Sequence, residues 1–362
     1  MRRGIISVVS LLVALTLFSF TIVSSQRPSP PNQPSAGPGG KQYAHASVIK
    51  NRYGKGAQEY WIFEPDTPKP SSAPLIVFLH GWGGMNPLYY GAWLDHLVKR
   101  GNIVVYPRYQ ASLLTARSEF TPNTIRAIKD AINRLQTETG HVRPDLSKFA
   151  VVGHSLGGLL AANVTALAME SDLPRVRAVM SVEPGITSAP VNIALADLKK
   201  IPSDTLLLAI AGDQDTLVRD ADAKRVYLES TRVPAGNKDF IMMQSDSHGT
   251  PALEASHRAP TAPDKSYDNG EGARRDAGEN SGSVSPLPGP QNLSASHTDP
   301  FRSIAVNALD YYGTWKLFDG LCDAAFYGKN REYGLGNTPK QRFMGVWSDG
   351  VAVKELKVTN RP

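Results

Sequence analysis

Short apolar runs alternate along the chain with stretches whose apolar residues recur at helical spacing. Runs of strand character fall at 59–64 (EYWIFE), 75–79 (LIVFL), 103–106 (IVVY), 149–152 (FAVV), 177–182 (RAVMSV), 206–211 (LLLAIA) and 240–244 (FIMMQ). Between them, 87–99, 121–139, 156–168 and 220–230 carry the three-to-four residue spacing of helices, as does 305–326 near the C-terminus. Continuously apolar strands alternating with helices predict an α/β fold: a mostly parallel sheet with helices on both faces. In such a sheet ligands bind beyond the carboxyl ends of the strands. No internal repeat is visible.

Three segments break the pattern. Residues 1–25 begin with Arg2 and Arg3, continue through an uncharged apolar run from Gly4 to Val23, and end on small residues. This is the layout of a secretory signal peptide, with an uncleaved N-terminal membrane anchor as the alternative. Residues 26–42 are rich in Pro, Gly and Ser and read as a linker. The rest, 43–362, reads as one domain interrupted at about 258–300 by a polar stretch (SYDNGEGARRDAGENSGSVSPLPGP) that predicts a disordered insertion. The expected location is therefore secreted or periplasmic, with membrane association only if the leader is retained.

Composition narrows the class. Of 362 residues, 41% are hydrophobic and 20% charged, enough apolar material for a full core. The net charge of +6 is scattered rather than gathered with aromatics, which argues against a nucleic-acid partner. A single cysteine, Cys322, excludes an intrachain disulfide; its apolar neighbours mark a buried thiol.

The chemistry gathers at strand ends. Gly153-His154-Ser155-Leu156-Gly157 joins the FAVV strand to a helix, and a strand running straight into a helix forces a cramped turn. That turn presents the Ser155 hydroxyl at the helix N-terminus, where free N–H groups favour developing negative charge. A serine hydroxyl needs a base. His248, in QSDSHG after the FIMMQ strand, is the expected one, and His257, in ALEASH, is its rival. His80 and His154 stand beside motif residues as structural hydrogen-bonders. The carboxylate that would orient the base is expected at Asp215 in AGDQDTLV, with Asp213 close by and Glu183 as an alternative from the preceding strand. Oxyanion donors are expected from the N–H of Leu156 and from the His80-Gly81-Trp82-Gly83-Gly84 loop, where Trp82 is the candidate and Gly83 the alternative. The Trp82 ring is also a candidate wall for the substrate pocket.

Together HGWGG, GHSLGG, GDQDTLV and SDSHG resemble the α/β-hydrolase family, in its esterase, lipase and dienelactone-hydrolase branches, over roughly residues 43–250. The resemblance implies an eight-stranded, mostly parallel sheet and a Ser155–Asp215–His248 triad. The expected function is a serine hydrolase cleaving a small-molecule or lipid carboxylic ester through an acyl-enzyme, with no metal and no organic cofactor. An acyltransferase using the same groups and a non-catalytic binding protein on the same fold are the alternatives.

Overall fold

A computed structural model describes residues 27–185, 193–270 and 305–362. The leader at 1–25 and most of the expected insertion, 271–300, lie outside the described residues. Among those described, no helix is long and apolar enough to cross a membrane.

The described strands are β1 (Ser47–Tyr53), β2 (Tyr60–Asp66), β3 (Ser72–Leu79), β4 (Ile103–Pro107), β5 (Arg143–His154), β6 (Val176–Val182), β7 (Leu206–Gly212), β8 (Lys238–Met243) and β9 (Lys357–Thr359). They form one sheet in the order β1-β2-β4-β3-β5-β6-β7-β8-β9. Strands β3 to β8 run parallel, while β2 is antiparallel to both β1 and β4, and β9 is antiparallel to β8. The sheet thus has nine described strands where eight were expected. The strands not expected are the edges: β1 (SVIKNRY) is polar and half-exposed along its length, and β9 has three residues. An edge strand covered on one side lacks the apolar run that betrays a central one.

The central strands are buried on both faces, as their sequences require. Leu75, Val77, Leu79, Val105, Val151 and Leu207 pack on one side; Ile76, Phe78, Val104, Val152, Met180, Leu208 and Ile210 pack on the other. The first face is covered by α2 (Phe120–Thr137), α3 (Leu156–Leu167) and α4 (Ala221–Glu229); the second by α1 (Gly91–Lys99) and α5 (Lys316–Tyr327). The expected helix at 87–99 is divided: Pro87–Tyr90 is a 3-10 turn capped by Asn86, whose side chain accepts the Leu88 N–H, and α1 follows. The closing helix expected at 305–326 begins as a π-helical segment, Leu309–Trp315, kinked at Gly313, before α5. Cys322 is buried on α5.

Two expectations about chain organisation are corrected. Residues 27–42 are not a free linker but run along the domain: the Gly39 N–H donates to Asp319 Oδ2 at 2.7 Å, and the Pro28 carbonyl accepts from Thr250 N at 2.8 Å. The start of the expected insertion is ordered as well. Ala262 exchanges backbone hydrogen bonds with Tyr89 and Ala92, Asp264 N–H donates to Leu88 O, and Tyr267 is buried against the start of α1.

Candidate active site

Ser155 sits between β5 and α3 with φ 58° and ψ −125°, a left-handed conformation that few non-glycine residues adopt. The surrounding packing holds it there. A Cβ on Gly153 would stand 2.0 Å from the Gly157 carbonyl, and one on Gly157 would stand 2.0 Å from the Leu79 carbonyl. The glycines of the motif therefore let strand, turn and helix close on one another. Ser155 N–H donates to Val182 O of β6 at 2.9 Å, which fixes the bend to the neighbouring strand.

Beside the hydroxyl stands an imidazole, that of His257. Its Nε2 lies 2.9 Å from Ser155 Oγ and its Nδ1 lies 2.8 Å from Asp215 Oδ2. All three residues are buried. Asp215 uses its other oxygen, Oδ1, to accept the N–H groups of Leu217 and Val218 at 2.9 and 3.0 Å, so its carboxylate is held from both sides. With Nδ1–H donated to the carboxylate, Nε2 is left to accept the Ser155 O–H. Asp213 faces elsewhere: its carboxylate takes the Ser245 N–H and hydroxyl and ties β7 to the chain after β8.

The expectation of His248 in this position is corrected. Its side chain is 37% exposed and its Nε2 pairs with Asp349 Oδ2 at 2.8 Å, on the outside of the molecule. The reason lies in the path after β8. Asp246 and Leu253 exchange both backbone hydrogen bonds, which folds 246–253 outward as a hairpin and leaves His248 on its tip. The returning chain passes the end of β7, where Gln214 N–H donates to Ala255 O and Ala255 N–H donates to Ser245 Oγ. Two residues later it delivers His257 onto Asp215. Nearness to a strand end along the chain selected the wrong histidine; nearness in space comes from the hairpin.

The loop after β3 abuts the serine: a Cβ on Gly81 would lie 3.2 Å from Ser155 Cβ. Its N–H groups are largely committed. Gly81 N–H donates to Tyr90 Oη at 3.0 Å, Gly83 N–H to Gln110 Oε1 at 3.0 Å, and Gly84 N–H to Gly81 O at 2.9 Å. Among the described residues no acceptor takes the Trp82 N–H, so of the two candidates Trp82 has the uncommitted donor. Leu156 N–H opens α3 and has no carbonyl within the helix to bond to. Tyr106 and Tyr109 brace the loop through hydrogen bonds to the Gly84 and His80 carbonyls. His80 stacks on Tyr109 at 4.2 Å, and burial holds its pKa down at about 4, so it stays neutral as a structural group.

His154 and Glu183 line the far side of His257. His154 Nδ1 lies 2.9 Å from Tyr90 Oη, which accepts the Gly81 N–H and gives its own proton to the ring. His154 Nε2 therefore carries the ring proton. Burial, and then the nearby His257, push the His154 pKa well down. Glu183, at the end of β6, is fully buried, and burial, then the charge of Asp215, push its carboxyl well above the usual range. His154, Glu183 and His257 offer ligand atoms within 4.8 Å of one another, the spacing of a metal site. Of these atoms His257 Nδ1 is committed to Asp215 Oδ2 at 2.8 Å, so the trio does not present three free ligand atoms to a cation.

A mixed sheet of mostly parallel strands, with a strained serine between strand and helix, is the architecture of the α/β-hydrolase fold. Residues 41–192 match the model of the chlorophyllase family, a family of esterases of this type, and the match supports a hydrolase of carboxylic esters in the broad sense. The matched stretch includes the loop at Trp82, Ser155 and Glu183 and ends before the strands that supply Asp215 and His257. No curated protein matches the chain.

Proposed function

We propose that the protein hydrolyses carboxylic esters through Ser155, His257 and Asp215 by way of an acyl-enzyme. The observation that carries this reading is the unbroken contact from Ser155 Oγ to His257 Nε2 at 2.9 Å and from His257 Nδ1 to Asp215 Oδ2 at 2.8 Å. Ser155 Oγ attacks the ester carbonyl carbon while His257 Nε2 takes its proton. Asp215 faces the imidazolium that results, and the N–H groups of Leu156 and Trp82 are assigned to the oxyanion. Collapse expels the alcohol, which leaves with the proton from Nε2. Water then attacks the acyl-enzyme, giving its proton to Nε2, and the acid departs as Ser155 regains its hydrogen. The Trp82 ring, half-buried in the loop that abuts Ser155, is assigned to the substrate wall. The apolar, Arg-led start of the chain supports an exported enzyme.

A panel of p-nitrophenyl esters of graded acyl length tests the activity, with Ser155→Ala as its control. The expected outcome is turnover of at least one chain length by the wild type, reduced about 10⁴-fold or more by the substitution, and labelling of the wild type alone by a fluorophosphonate. Full activity in Ser155→Ala, or absence of labelling in the wild type, contradicts the reading.

A further inference from the structure

Glu183 is the most expensive side chain in the site. It leaves the end of β6 with φ 43°, a left-handed backbone held by its N–H donating to Ile210 O at 2.7 Å. It is fully buried, and neither carboxyl oxygen makes a hydrogen bond. A carboxyl without partners costs on the order of 1–3 kcal/mol even when neutral, and an apolar side chain of similar size would avoid that. The neighbouring strand makes room for it: a Cβ on Gly212, at the end of β7, would stand 2.6 Å from Glu183 Oε1. What Oε2 faces is two protonated ring nitrogens, His257 Nδ1 at 3.7 Å and His154 Nε2 at 3.7 Å.

We infer that Glu183 is a second positioning carboxyl for His257, standing beside Asp215 at Nδ1; the inference rests on the ester-hydrolase reading above. Two carboxylates this close resist ionising together, so Asp215 holds the negative charge and Glu183 remains a neutral acid. The neutral carboxyl offers a second acceptor as positive charge builds on His257, and a contraction of less than 1 Å from the resting 3.7 Å brings it into hydrogen-bond range. The charged and titratable groups facing it are His154 from β5, Asp215 from the turn after β7 and His257 from the chain after β8. If Asp215 loses its charge, burial still opposes the ionisation of Glu183 but the repulsion of Asp215 is gone, and the positive charge on His257 favours Glu183 as the replacement anion.

The arrangement predicts a specific non-additivity. On p-nitrophenyl butyrate, Glu183→Gln in the wild-type background stays within about threefold, because an amide oxygen also accepts, whereas Glu183→Met lowers kcat about tenfold with KM unchanged. Asp215→Asn loses about 10²-fold rather than the roughly 10⁴-fold of a site with one acid, and its remaining activity rises with pH as Glu183 ionises. The double variant Asp215→Asn/Glu183→Gln loses the full ~10⁴-fold and that pH dependence. A second readout is independent of turnover. The imidazole titration of His257, followed by NMR in Ser155→Ala protein, falls to lower pH when Glu183→Met is added. Equal costs of Glu183→Gln in both backgrounds, or an unmoved His257 titration in Glu183→Met, overturn the inference. A wild type inactive on esters but with a shifted titration would overturn the ester reading instead and leave the pairing standing.

Discussion

Two carboxyl groups of this protein are buried almost equally deeply and are treated in opposite ways. Asp319, on α5, receives the Gly39 N–H at 2.7 Å, His96 Nε2 at 2.9 Å and Arg100 Nε at 3.1 Å, all on Oδ2. Burial pushes its pKa up, but Arg100 and His96 more than offset this, and the group ends below the usual range. The Glu183 carboxyl, at the end of β6, has no hydrogen bond, and burial leaves it well above that range. The first carboxylate ties three pieces of chain, residues 27–42, α1 and α5, into one body. The second tightens nothing and faces the imidazole beside the nucleophile. Where a buried carboxyl is satisfied it serves the fold; where it is left unsatisfied beside reactive groups, a chemical role is the reason to keep it.

Substitutions should separate the two. Asp319→Asn removes the nearer carboxylate of Arg100, leaving it only Asp323 at 3.6 Å, and is expected to lower stability by about 3 kcal/mol in urea unfolding, with catalytic constants of the folded fraction unchanged. Loss of activity with stability intact would remove the contrast. The pH dependence of stability should differ in sign. The folded Asp319 carboxyl releases its proton more readily than the unfolded one, so its contribution is present above about pH 4 and is lost as pH falls through the folded value. Glu183 holds its proton more tightly when folded, so its contribution declines as pH rises above about 4.3. Asp319→Asn should therefore flatten the rise in stability from acid to neutral pH. Glu183→Met should remove a decline and gain about 1 kcal/mol at pH 8. A stability loss on Glu183→Met across the whole pH range would make it a structural group like Asp319.

The smallest effect is expected at the exposed pair. His248 and Asp349 are 37% and 41% exposed, and His248→Ala should change stability by less than about 1 kcal/mol. A larger loss would mean that the hairpin of residues 246–253 depends on this contact rather than on the Asp246–Leu253 backbone bonds.

The central sheet was legible in the sequence because LIVFL, IVVY, FAVV and LLLAIA are buried on both faces and so carry no polar alternation. The edges were not: β1 is half-exposed, and β9 is recognisable only through its pairing with β8. Residues 27–42 looked like a linker because Pro, Gly and Ser dominate them, yet the partners that order them, Asp319 and Thr250, lie more than 200 positions away. Ser155 and Asp215 were legible because each sits directly after its strand. His257 was not, since its place depends on a hairpin that closes between Asp246 and Leu253, while SDSHG offered a histidine nearer the end of β8. Glu183 was visible only as an alternative acid; its lack of partners and the space left by Gly212 appear only when β6 and β7 lie side by side.

The most direct test compares two histidines on one p-nitrophenyl ester. His257→Ala is expected to reduce kcat/KM by about 10⁴-fold or more, while His248→Ala stays within about twofold of the wild type, both proteins retaining the wild-type circular dichroism. Near-full activity in His257→Ala, with the loss falling on His248→Ala instead, would contradict the assignment of the base on which this account rests.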